Sequence, residues 1–263
     1  MNKLQFYRIA TPIPSFKSNY EGLIVTDSFE NTYIGMHNGW RKIVFEDELD
    51  GKIRNIINSY ESEGVNIHYD YEYVDLGLIS GNLWAKCNIG ANEESEYGYL
   101  YAWGETTRKE IFTDANYSFY INGNNENITK YNSTDGKVEL DAEDDAARQV
   151  MGGMWTMPSS ADYQELISQT TREWVDNYKY TGVSGILFKS TVNHNTLFFP
   201  ASGFKDGGNI LERNDTCSYW TSNVFSTAPR AALNLWATDS TASATSTNSR
   251  RLGMSIRGVL YTS

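Results

Sequence analysis

The sequence predicts an α+β protein in which a large domain of short strands, loops and two helices follows a small β module and a short helix. Three observations predict it. Apolar runs are short and are punctuated by Gly, Asn, Asp and Ser, as expected of brief strands joined by turns. In the large domain only two stretches carry helix-start signals together with helical spacing. Eighteen Tyr, seven Trp and 21 Gly stand beside five Pro, a composition suited to a loop-rich, β-containing domain with many half-buried aromatics.

The elements follow in order. Residues 1–45 form the β module. Gly22 to Thr26 and Thr32 to Gly35 read as strands, and Trp40 to Val44 as a third. His37-Asn38-Gly39 makes the hairpin turn, because Asn-Gly suits the positive φ angles of a tight turn. Residues 46–70 form a helical segment and linker. Leu49, Ile53, Ile56 and Tyr60 repeat with the spacing of a coiled-coil seam, which predicts oligomerisation. An ordinary amphipathic helix packed on its own chain fits the same spacing. Glu61 to Gly64 ends the helix.

Residues 71–263 read as one domain. Asp75 to Leu78 and Asn82 to Ala85 are strands around a Ser80-Gly81-Asn82 turn, and Tyr99 to Gly104 is a further apolar strand. Residues 105–137 are polar and rich in Asn, Tyr and Gly, and read as a long surface loop. Asp141 to Val150 is a short helix, acidic at its start and with Arg148 in its last turn, as the macrodipole prefers. Ser159 or Ser160 caps a second helix, Ala161 to Gln169, whose buried face is Tyr163, Leu166 and Ile167. Strands follow at Ile186 to Lys189 and Thr196 to Phe199.

Charge and cysteine usage exclude several classes. A net charge of −11 argues against a sequence-independent grip on nucleic acid and against docking on an anionic membrane. No apolar run is long enough to cross a bilayer, so no membrane insertion is expected. Cys87 and Cys217 stand without a CxxC or His/Cys cluster, so no zinc site or cofactor is expected. The pair could close one disulfide, and two free buried thiols is the preferred reading. Met1 to Arg8 lacks an apolar leader core, so synthesis and folding in a cytoplasm are expected. Any extracellular role would then come through a particle released by lysis.

The stretch from Cys217 to Arg257 is the most informative. A frame of Tyr219-Trp220-Thr221-Ser222, Arg250 and Gly253 to Arg257 encloses a permissive filling. From Ala237 to Ser249, eleven of thirteen residues are Ala, Ser or Thr. Small side chains make a poor core and a poor active site, but they do make a surface that can change without unfolding the chain. A binding face is therefore expected in place of a catalytic one.

Several segments resemble a known family. Val74 to Leu78, Leu83 to Ala91 and Tyr101 to Thr106 resemble the opening of the Fibrobacter succinogenes major paralogous domain, abundant in Bacteroidetes and their phages. Ala142 to Arg148 resembles its first helix, and Gly152-Gly153-Met154-Trp155-Thr156-Met157-Pro158 its Gly-Gly-x-Trp-x-Met-Pro segment. Phe199 to Gly203, Tyr219 to Ser222 and Gly253 to Arg257 resemble its end. The resemblance runs in order over residues 72 to 260. It implies a C-type-lectin-like fold, akin to the formylglycine-generating-enzyme group. The same fold carries the variable proteins of diversity-generating retroelements, in which mutagenesis changes selected codons over a fixed backbone. By that resemblance the frame is Trp220, Ser222, Pro229, Arg250, Gly253, Ser255 and Arg257. The displayed positions are Asn223, Phe225, Ala228, Arg230, Ala231, Leu233, Asn234, Trp236, Thr238, Ser240, Thr241, Arg251, Leu252 and Met254. Gly22 to Ile43 is similar to short β modules of phage tail fibres, which are commonly trimeric. Together these imply a virion-associated receptor-binding protein, a homotrimer whose partner is a protein or glycan on a bacterial cell surface.

Phe225, Arg230, Leu233, Trp236 and Arg251 are the expected anchors, since aromatics and Arg dominate interface energetics. Period two puts Ala231 and Leu233 on one strand face and Ala232, Asn234 and Trp236 on the other, so Leu233 or Trp236 could instead be core. Glu143-Asp144-Asp145 could hold Ca²⁺, but adjacent carboxylates on a helix diverge, so a helix-start and ion-pair role is preferred. Asp206-Gly207-Gly208-Asn209 reads as a turn. An enzyme is not expected. The formylglycine-generating group needs a reactive cysteine pair near its C-terminal site, and Cys87 lies in the opening motif instead. His37, His68 and His194 lack a Gly-x-Ser-x-Gly partner. A fibre subunit without a ligand of its own is the alternative, and the blank Ala/Ser/Thr surface fits it less well.

Overall fold

The computed structural model describes residues 71–261 and, of the first 70 residues, the backbone of four strands. The chain divides into two compact units, Met1–Asp70 and Tyr71–Ser263. In the first, β1 (Phe6–Arg8), β2 (Ile24–Thr26), β3 (Thr32–Met36) and β4 (Gly39–Ile43) form one sheet in sequential order. β1 and β2 run parallel, and the other pairs are antiparallel. Met36 pairs with Gly39, so Gly39 opens β4; a two-residue turn at Asn38-Gly39 would have paired His37 with Trp40, and the observed register is one residue earlier. The seam Leu49, Ile53, Ile56 and Tyr60 lies outside the described residues.

The second unit is mixed α and β, built mostly from small antiparallel sheets with few helices. Its ends meet. β5 (Tyr73–Asp75) pairs with β6 (Leu83–Ala85), and the last strand, β18 (Val259–Leu260), lies between β6 and β9 (Trp155–Thr156). Val259 faces Trp84 on one side and Thr156 on the other. Everything between is looped out from this closure.

Two helices pack inside the loop. α1 (Ala146–Met151) starts later than the acidic run predicts. Asp145 is its N-cap, buried, accepting from Arg148 N at 2.9 Å, Met157 N at 2.8 Å and the Thr156 hydroxyl. The remaining acids therefore precede the helix. α2 (Ser160–Gln169) is capped by Ser159, and Asp162 returns the bond in a capping box. Tyr163 and Leu166 are its buried face, with Ile167 packed at the edge of the same cluster. β10 (Thr170–Val175), β11 (Gly185–Ser190) and β12 (Thr196–Pro200) form an antiparallel sheet after it.

Two expectations fail here. Tyr99 to Gly104 is not a strand. Tyr101 bridges Met254 and Trp103 N donates to Arg250 O, so this segment threads the core and bonds one residue at a time. Nor is 105–137 a surface loop. It holds a hairpin, β7 (Tyr120–Ile121) and β8 (Asn124–Ile128), turning at Asn122 and Gly123 with φ of 53° and 69°. Phe112, Tyr117, Phe119, Tyr120 and Tyr131 from this stretch are buried in one of the two core clusters. Tyr117 packs edge-on against Tyr120, their centroids 4.5 Å apart, and Tyr131 packs edge-on against Trp103 at 5.2 Å. Such contacts add about 0.5–1.5 kcal/mol each beyond burial.

The C-terminal stretch forms a three-stranded sheet, β15 (Cys217–Val224), β16 (Ala231–Ala237) and β17 (Ala242–Ser249), in that order. A cluster lies on each side of it. Trp220, Val224 and Ala232 belong to one, and Cys217, Tyr219, Leu235 and Ala237 to the other. The small residues of 242–249 lie on the sheet's edge strand, away from the buried β15.

Candidate functional site

The frame of the C-terminal stretch is held by two buried arginines. Arg257 donates from Nε to Asn88 Oδ1 at 2.8 Å, from Nη1 to Ala85 O at 3.1 Å and Lys86 O at 2.7 Å, and from Nη2 to Phe198 O at 3.0 Å. Its guanidinium lies 4.5 Å from the Phe199 ring centroid. Arg250 donates from Nε to the Tyr117 hydroxyl at 3.0 Å, from Nη1 to Lys130 O at 3.1 Å and Pro229 O at 3.0 Å, and from Nη2 to Lys130 O at 3.2 Å. It sits 4.5 Å from the Trp103 ring. Both side chains are fully buried, and no carboxylate among the described residues bonds either. Carbonyl dipoles and aromatic faces solvate the charge instead. Gly253 completes the frame. A Cβ there would stand 2.7 Å from the Phe112 ring, so no side chain fits.

The filling lies outside that frame. Arg230, Ser240 and Thr241 are exposed, and Phe225, Ala228, Ala231, Leu233, Trp236 and Thr238 are half-buried. The hydroxyls here bond their near neighbours, Thr238 with Ser240 and Ser243 with Thr245, each at 3.3 Å. Leu233 faces Thr247 and Trp236 faces Ser243 on the edge strand. Strand periodicity keeps these two large side chains on opposite faces, and neither is fully core.

Five displayed positions need correction. Asn234, Leu252 and Met254 are buried. Asn234 adjoins Leu235 where both faces of the sheet are covered, and its Oδ1 accepts from Asn248 at 3.2 Å. Leu252 and Met254 are in the aromatic cluster. Asn223 is half-buried, and its Oδ1 accepts from Ser160 N at 2.7 Å, so it helps fix the start of α2. Arg251 is clamped by Asp206 at 2.5 Å and Asp114 at 2.8 Å, which ties Asp206 and Asp114 together and leaves no free guanidinium to display.

Beside the filling lies a groove of about 530 Å³. One wall is β8 and the turn after it, with Asn125, Asn127, Ser133 and Thr134. The other is the β15–β16 connection from Thr227 to Arg230. Of the positions expected to be displayed, Ala228 and Arg230 line it. Arg230 reaches across to Glu126 at 2.7 Å. From the buried side Arg250 bonds both walls, at Lys130 O and Pro229 O. The polar, Asn-rich composition of 105–137 predicts a loop and so conceals the first wall. The Asn122-Gly123 pair, the same hairpin signal as Asn38-Gly39, would have found it.

The acidic run holds a cation of its own. Lys130 lies 2.6 Å from both Glu143 and Asp144 and 3.8 Å from Asp141, and Tyr131 donates to Asp144 at 2.5 Å. These carboxylates, the one cluster of metal-ligating side chains among the described residues, surround an ammonium. Asp206-Gly207-Gly208-Asn209 joins β13 (Phe204–Asp206) to β14 (Asn209–Leu211) as a turn. His194 is a turn residue with φ of 66°. Both cysteines are free, Cys217 buried and Cys87 half-buried. Burial pushes the Cys217 thiol up to about 12 and raises that of Cys87.

Comparison with family models, curated proteins and solved structures returns no match.

Arg250→Lys tests the clamp. An ammonium cannot repeat the planar fork, so at least two of the acceptors at Tyr117, Lys130 and Pro229 lose their donor. Urea unfolding should show a loss of about 2–6 kcal/mol, from about 1–3 kcal/mol for each of two orphaned buried groups. A loss under about 0.5 kcal/mol, the level of an ordinary surface change, would mean that the clamp holds nothing.

Proposed function

We propose that this chain is a ligand-binding protein, a phage tail-fibre or retroelement-diversified adhesin that displays exchangeable side chains on a fixed C-type-lectin-like scaffold. One observation carries the reading: the split in burial within residues 217–257. Trp220, Arg250, Gly253, Ser255 and Arg257 are buried, while Phe225, Ala228, Arg230, Leu233, Trp236 and Thr238 to Thr241 reach solvent or bond only locally and to Glu126. A catalytic site needs the opposite, reactive groups held fixed by their surroundings. The two thiols support binding over catalysis, because burial keeps both protonated at neutral pH, and the thiolate is the nucleophile.

The partner on this reading is a protein or glycan on a bacterial cell surface, met by a virion-associated fibre. The charge of −11 speaks against nucleic acid, and no helix among the described residues is long and apolar enough to cross a membrane. The heptad spacing of Leu49, Ile53, Ile56 and Tyr60 supports a homotrimer, and avidity would then raise a weak single-site affinity by about 10²–10⁴-fold.

Replacing Phe225, Arg230 and Trp236 together by Ala should abolish labelling of bacterial cells by the fluorescent full-length protein. The stability cost should stay near the sum of three partly exposed changes, about 1–3 kcal/mol. Unfolding of the variant would show that these side chains belong to the core. Light scattering of the full chain should give three copies per particle, and a monomer would contradict the trimer.

A further inference from the structure

The groove between β8 and the β15–β16 connection has a chemistry of its own. Its charged lining residues are Glu126 and Arg230, and they neutralise each other. The rest of its polar lining is amide and hydroxyl. Asn125, Asn127, Ser133 and Thr227 make no side-chain hydrogen bond to any described residue, although Asn125 is half-buried. An amide offers a donor and an acceptor side by side, and a hydroxyl offers both on one atom. Neighbouring hydroxyls on a sugar ring present the complementary pairs. The apolar lining is narrow and aliphatic, from Ile121, Ile128, Ala228 and Pro229, which suits the C–H face of a ring. No Trp, Tyr or Phe lines the groove, and Arg230, the one side chain there of a type that anchors protein partners, is already paired. The volume of about 530 Å³ is within the roughly 300–1,000 Å³ of small-ligand clefts.

We propose that this groove binds a neutral carbohydrate of one or two rings, with Asn125 and Asn127 on one wall and Thr227 on the other as its hydrogen-bonding groups. The proposal rests on the ligand-binding reading and adds to it in two ways. It names the ligand class, and it puts half of the site on the 121–134 hairpin, outside the C-terminal stretch. Arg250 gives the groove its fixed width by bonding both walls. Arg230 and Glu126 close one rim, so a change at Arg230 alters the groove's edge without disturbing the amides.

Saturation-transfer NMR on the full chain tests this. The probes are the methyl glycosides of glucose, galactose, mannose and N-acetylglucosamine, with lactose and cellobiose, N-acetylneuraminic acid as an anionic control, and a random peptide mixture. At least one neutral sugar should bind with Kd of about 0.1–10 mM, and Asn125→Ala with Asn127→Ala should weaken it at least about tenfold at unchanged melting temperature. If that pair of changes melts the hairpin, Ser133→Ala with Thr227→Val should give the same loss from the turn after β8 and the opposite wall. Binding of N-acetylneuraminic acid or peptides alone, no binding by any neutral sugar, or sugar binding indifferent to both variants would overturn the proposal. Labelling of bacterial cells separates the two levels. Cells left unlabelled by the intact protein would count against ligand binding altogether. Labelling that survives periodate but not protease would overturn only the carbohydrate.

Discussion

Two guanidinium groups, buried with no carboxylate partner among the described residues, tie distant segments of this domain to one another. A charge out of water is costly, and it persists only where its surroundings replace the lost solvation. Arg257 finds that replacement in Asn88 and in carbonyls of residues 85, 86 and 198, beside the β18–β6 pair that closes the domain. Arg250 finds it in Tyr117, Lys130 and Pro229, beneath a box of aromatic rings. Each arginine ties distant segments through main-chain oxygens. Main-chain acceptors do not depend on which side chain a residue carries. The Pro229 carbonyl can anchor its turn whatever stands at Ala228 or Arg230.

That arrangement separates the buried frame from the side chains that reach solvent. The aromatic cluster and the α2 cluster bury the frame from both sides, and the strand that carries the small residues lies at the edge, where side chains meet solvent. Changes at Thr238, Ser240 or Thr241 therefore disturb only local hydroxyl contacts. Changes at Asn234 or Met254 would open a packed core, where truncation costs several kcal/mol. The groove lies between the two, one wall from the β7–β8 hairpin and the turn after it and the other from the β15–β16 connection.

Much of this was legible in the chain, and the failures have physical causes. The α2 helix was readable because Ser159 and Asp162 carry a local capping signal. The 121–134 wall is hidden because its polar, Asn-rich sequence surrounds aromatics that point inward, and only the Asn122-Gly123 turn signals the hairpin. Tyr99 to Gly104 has the composition of a strand, but its hydrogen-bond partners are single residues far along the chain, which no local pattern encodes. Leu252 and Met254 are expected at displayed positions only through the family resemblance, which supposes a solvent face there. In a segment covered on both sides there is none.

The most direct test of the central claim is deep sequencing of codons 217–257 of this gene across its source population. The account predicts substitutions at Phe225, Ala228, Arg230, Ala231, Leu233, Trp236, Thr238, Ser240 and Thr241, over constant Trp220, Asn234, Arg250 and Leu252 to Arg257. Substitutions spread evenly over buried and exposed codons, or a stretch that is uniform throughout, would contradict it.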